Sequence, residues 1–155
     1  ATAPEFDTTV DVPADAHIPP GYSPAQAQRM QMYKRIAEIS TIEQMYDVQE
    51  ELEDRYGDIP ESVQNLLDVA LAKAAVRLVY GSRLQIRPGE LRISFLPAAP
   101  LDGAKLLEAC RKINSAQLIG GETPGLSVRQ NGAQVPDLLR NVPHIVHTIL
   151  DCIEP

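Results

Sequence analysis

A few residues in this 155-residue chain have types and spacings that could do chemistry. His144 and His147 stand three apart, with Asp151 four further on, a spacing that puts all three on one side of a helix and within reach of a metal ion. No Cys or Glu completes a recognised ligand set around them and His17 is remote, so the better reading is surface helix residues. Cys110 sits at an apolar helical position beside Leu107 and Ile113, with neither the base nor the lowered pKa that a nucleophile needs. No G-x-S-x-G elbow occurs, and IGGETPG lacks the lysine and hydroxyl of a phosphate-binding loop. The expectation is a chain with no catalytic residues, no metal and no cofactor.

What remains is carboxylate. Residues 41–68 hold nine acids (Glu43, Asp47, Glu50, Glu51, Glu53, Asp54, Asp58, Glu61 and Asp68) against one base, Arg55, a net −8 in a chain whose total is −7. At about 100° per residue, Glu43, Asp47, Glu50, Glu51 and Asp54 fall within an arc of roughly 100°, with Arg55 beside it. Ile42, Met45, Val48, Leu52 and Tyr56 take the opposite side. The like-charged pairs Asp47–Glu51 and Glu50–Asp54 cost a few tenths of a kcal/mol each, and acids near a helix C-terminus oppose its dipole. A solvated surface stripe and half of an interface are both compatible with this pattern, and the second requires a basic partner surface. The segment disfavours direct nucleic-acid binding. The best basic grouping for such a module (Lys73, Arg77, Arg83, Arg87 and Arg92) is spread over a helix end and a hairpin.

The elements that must carry this stripe are legible from punctuation. Residues 1–22 read as an extended, proline-rich arm in which FDTTVDVP could add a strand, and residues 23–155 as a single domain. Ser23-Pro24-Ala25-Gln26 looks like a helix start, with Met32, Ile36 and Ile39 as core and Met30, Tyr33 and Ala37 widening the stripe, to about Ser40. Thr41-Ile42-Glu43-Gln44 opens a second helix that ends at Tyr56-Gly57. A third follows Asp58-Ile59-Pro60 and runs to about Tyr80, closed by Gly81, with Val63, Leu66, Leu67, Ala70, Leu71, Ala74 and Leu78 as its core face. LQIRPGELRISFL then alternates like a hairpin, Asp102 caps a helix, and LSVRQ reads as a strand after the GGETPG turn. Pro136 starts a closing helix that Pro143 should divide. The class is α+β: three consecutive helices, then a small mixed or antiparallel sheet with further helices. No apolar run is long enough for a membrane span, ATAPEFDTTV lacks the basic start and apolar core of a signal peptide, and two cysteines without metal spacing fit a reducing compartment. A cytoplasmic, monomeric domain is expected.

These residues also carry a resemblance. Tyr33-Lys34-Arg35, Thr41, Glu51-Leu52-x-Asp54-Arg55-Tyr56-Gly57-x-x-Pro60 and Asn65-Leu66-Leu67 are similar to the C-terminal domain of the bacterial transcription-repair coupling factor family, most strongly over residues 8–81. The resemblance implies an autoinhibitory clamp. The parent would be an ATP-driven DNA translocase that displaces stalled RNA polymerase, and this domain would dock on the parent's N-terminal module and mask the surface that binds the repair protein UvrA. By position, Glu51 and Asp54 would face basic residues there, with Glu43, Asp47, Glu50 and Arg55 around them.

Overall fold

A computed structural model describes residues 6–155, in the order β1 (Thr9–Asp11), α1 (Gln26–Ala37), α2 (Ile42–Tyr56), α3 (Glu61–Leu78), β2 (Gly81–Arg87), β3 (Glu90–Phe95), α4 (Gly103–Lys112), β4 (Ala116–Ile119), β5 (Gly125–Arg129) and α5 (Val135–Ile149), closed by a 3-10 turn at Leu150–Cys152. The fold is α+β, as the residue pattern implies. The described residues form two compact units, residues 14–74 and residues 6–13 with 75–155, and the division falls inside α3.

The 14–74 unit is helical. One apolar cluster takes Met32, Ile36 and Ile39 from α1 and its exit, Met45, Val48 and Leu52 from α2, Val63, Leu67 and Leu71 from α3, and Ile18 from the preceding loop. Local signals decide where α2 begins and ends. Thr41 is its N-cap, the hydroxyl accepting from the Gln44 amide at 3.2 Å, and Gly57 ends it at φ +86°, a left-handed conformation that a side chain would strain. The Tyr22 hydroxyl donates to the terminal carbonyls of Leu52 (3.3 Å) and Gly57 (3.2 Å), so the loop before α1 fastens the end of α2.

Several expectations for α1 and α3 need correction. Ser23 is not the cap of α1. It is fully buried in a turn where its amide donates to the Pro19 carbonyl, and α1 starts three residues later with Ala25 as an N-cap that makes no side-chain bond. Met30 and Tyr33 lie outside the core of α1, and Tyr33 instead accepts the Ile18 amide at 2.7 Å on its hydroxyl. Along α3, Leu78 is 43% exposed while Ala72, Ala75, Val76 and Val79 are buried, so the buried face turns away from the expected stripe near its end. Tyr80, at φ 62°, makes the left-handed residue after α3, and Gly81 already belongs to β2. A side chain at Gly81 would collide with Val76 and lie 2.9 Å from the Val76 carbonyl oxygen, so space rather than a positive φ demands glycine there.

The other unit is built on a five-stranded mixed sheet in the order β1-β2-β3-β5-β4. β1 pairs parallel with β2, Thr9 opposite Arg83, and all other neighbours are antiparallel. The arm therefore does contribute a strand. β4 was not expected; it forms a hairpin with β5 across the glycine-rich turn. The alternation puts Leu84, Ile86, Leu91, Ile93, Leu126 and Val128 on one buried face, against a core that includes Leu106, Ala109 and Cys110 of α4 and Leu138, Leu139, Val142, Ile145 and Ile149 of α5. Pro143 does not divide α5, which runs unbroken from Val135 to Ile149. The missing amide costs one helical hydrogen bond, and the buried residues on either side of Pro143 hold the helix together.

Candidate partner interface

Helix α2 presents its acids as the periodicity predicts. Glu43, Asp47, Glu50 and Asp54 are exposed, and among the described residues none of them has an ion-pair partner. Met45, Val48 and Leu52 take the buried side and hold the stripe outward. Ile42, placed on the core side by sequence, is 41% exposed instead, because it occupies the first turn of α2, at the margin of the cluster.

Glu51 differs from its neighbours. Its carboxylate meets Arg35 of α1 and, at 3.8 Å, Arg55 one turn along α2, and its side chain is 30% exposed. The counter-charge comes from outside the acidic segment, where a count along that segment cannot find it. Arg35 also relieves the repulsion expected between Asp47 and Glu51. Arg55 lies over the Tyr56 ring at 5.5 Å, and Tyr56 packs on Tyr22 with centroids 5.3 Å apart. Burial of Tyr22 and the nearby Glu53 carboxylate raise the Tyr22 hydroxyl above its ordinary pKa, which keeps it a donor to the end of α2. A shallow groove of about 180 Å³ beside the stripe is lined by Arg35, Glu38, Ile39, Gln44, Asp47 and Val48. The stripe is thus an anionic ridge with one internally neutralised member.

Tyr46 is 56% exposed one turn from Glu43 and Glu50, so an aromatic ring flanks the acidic stripe.

The remaining candidates stay apart. His144 and His147 are exposed on α5, and no group of three His, Cys, Asp or Glu side chains that could hold a metal occurs among the described residues. Cys110 and Cys152 are both free and buried, with thiols pushed above their ordinary pKa by burial. Among the described residues no helix is long and apolar enough to cross a membrane.

The family model for the TRCF domain matches residues 12–106, which contain the whole of α1, α2 and α3. The chain belongs to the TRCF domain family. The chain is 32% identical over 145 residues to the transcription-repair-coupling factor of Bacillus subtilis strain 168, a match that covers 89% of this chain and 12% of that protein. It is 25% identical over 151 residues to the Myxococcus xanthus factor, with 97% of this chain and 13% of that protein covered, and 38% identical over 71 residues to the Mycobacterium tuberculosis factor, with 46% of this chain and 6% of that protein covered. The chain therefore spans a small fraction of the curated relatives it matches. Its fold is that of a crystal structure of the C-terminal domain of a transcription-repair coupling factor, with a TM-score of 0.82 at 20% identity over 94% of this chain and 93% of that one.

Proposed function

We propose that this TRCF domain is the C-terminal regulatory clamp of a transcription-repair coupling factor. Helix α2 docks on a basic surface of the parent's N-terminal module and masks the site that UvrA would occupy. On this reading the parent is an ATP-driven DNA translocase that displaces stalled RNA polymerase, and the domain supplies regulation rather than catalysis.

One observation carries the reading: four exposed carboxylates, Glu43, Asp47, Glu50 and Asp54, share one face of α2 without an ion partner among the described residues. A helix selected for stability alone would intersperse lysines, because unpaired like charges at i, i+4 are destabilising. The ridge becomes favourable when a cationic surface meets it, each exposed pair contributing about 0.2–1 kcal/mol. On this reading the partner is a module of the same parent chain, so the tether makes docking intramolecular and raises the effective concentration of the ridge. Opening is then a shift in a two-state equilibrium, driven by whatever binds the open form better. Glu51, already met by Arg35 and Arg55, orders the ridge as much as it contributes to it.

A competition experiment tests the reading. The domain added in trans to a complex of UvrA with the parent's N-terminal module should displace UvrA. A variant carrying Asp47→Lys, Glu50→Lys and Asp54→Lys, all at exposed positions, should not. Equal displacement by both proteins would refute docking through α2.

A further inference from the structure

The register of the sheet gathers a second charged surface, of opposite sign. Residues opposite one another on neighbouring strands share a face. The side of the sheet away from the apolar core therefore carries Arg83, Gln85 and Arg87 from β2, Glu90 and Arg92 from β3, Ser127 and Arg129 from β5, and Gln117 from β4. Asp11 reaches this side from β1, 3.1 Å from Arg83 and 2.9 Å from Arg87, and Glu90 lies 3.3 Å from Arg129. Arg92 has no ion partner among the described residues.

The centre of the face is a single cross-strand row, Gln85–Arg92–Ser127–Gln117. At about 4.8 Å between strands the row is roughly 14 Å long. Ser127 is only 5% exposed, and its hydroxyl is buried with no hydrogen-bond partner, beside an unpaired guanidinium. A buried hydroxyl gains from a hydrogen-bond partner, so an acceptor brought to Arg92 is favoured beside Ser127. An open recess of about 820 Å³ adjoins one end, with Gln117, Arg129, Asn114 and Asn131 among its lining residues.

We propose that this face binds an acidic segment of a partner protein, with one Asp or Glu carboxylate seated on Arg92 and accepting from Ser127. A guanidinium offers paired donors that match a planar carboxylate, and the flanking amides of Gln85 and Gln117 supply further donors along the row. A nucleic-acid strand fits less well. Asp11 and Glu90 engage three of the four arginines on this face, which leaves one guanidinium for a single carboxylate rather than a run of cations for a phosphate path, and among the described residues of these strands no aromatic ring lies on the face for a base to stack on. The proposal is independent of docking through α2.

The test is an NMR titration of the 155-residue chain with an oligoglutamate peptide and, separately, with an oligothymidylate of matched charge, both at low salt. The peptide should shift the Arg92 side-chain resonance and the Ser127 and Gln117 amides. Arg92→Ala should weaken it about tenfold or more, and Arg92→Lys should restore only part, having lost the paired geometry. Because Arg92 is exposed, its variants should melt as the parent chain does. Ser127→Ala should weaken the peptide without lowering the melting temperature, whereas a serine with a purely structural role would lower the melting temperature and leave the peptide unaffected. Absence of shifts on this face, an oligothymidylate that binds the same residues more tightly than the peptide, or Arg92→Ala binding like the wild type would each overturn the proposal.

Discussion

Residues with similar sequence surroundings end in different physical states here. Glu50 and Glu51 are adjacent acids on one helix, yet Glu51 is met by Arg35 and Arg55 while Glu50 has no ion partner among the described residues. The difference is tertiary, since Arg35 belongs to another helix. The two cysteines show the same dependence on place. Both are buried, and burial raises both thiols above the ordinary value of 9.0, so each stays protonated at neutral pH. The thiolate is the reactive form, so iodoacetamide at pH 7 should label neither cysteine in the folded chain over a time that labels both in urea. Mass spectrometry reads this directly, and rapid labelling of the folded chain would contradict the burial.

At the scale of elements, β1 is held to β2 by charge as well as by its ladder. Hydrogen bonds from Arg87 and Arg83 hold the Asp11 carboxyl below its ordinary value of 3.8. The sign follows: a depressed carboxylate contributes its full stabilisation above 3.8 and loses it as pH falls through the lowered value. Amide protection at Thr9–Asp11 should therefore drop on acidification below 3.8 before that of Leu91 and Ile93, and Asp11→Asn should abolish the difference. In α2, Leu52 is 1% exposed, and Leu52→Ala should lower the stability of the helical unit by about 3 kcal/mol in urea unfolding. A loss under about 1 kcal/mol would mean that α2 is not anchored there. Helix α2 was readable in the sequence because its determinants are local: Thr41, Gly57 and the 3.6-residue period. The cap at Ser23, the break at Pro143 and the core position of Leu78 were misread because tertiary packing overrides local preference at each. The polar face of the sheet was unreadable for a further reason. Arg92, Ser127 and Gln117 become neighbours only through the register of three strands, one of which, β4, carries no clear pattern of its own.

For the whole molecule, charge is partitioned: the acidic excess lies in residues 41–68, and the remainder carries thirteen basic against twelve acidic residues. A domain built this way suits a part that must be attracted to one surface of a larger protein and released from it, since Coulomb attraction between exposed surfaces is readily tuned. Docking through the ridge on α2, as proposed above, makes binding depend on salt. The most direct measurement is a titration of this chain against the parent's N-terminal module across a salt series. Affinity should fall steeply as salt rises. At low salt the Asp47→Lys, Glu50→Lys, Asp54→Lys variant should bind about a hundredfold more weakly, from roughly 1 kcal/mol per lost pair. An affinity indifferent to salt, and unchanged in the variant, would contradict the account.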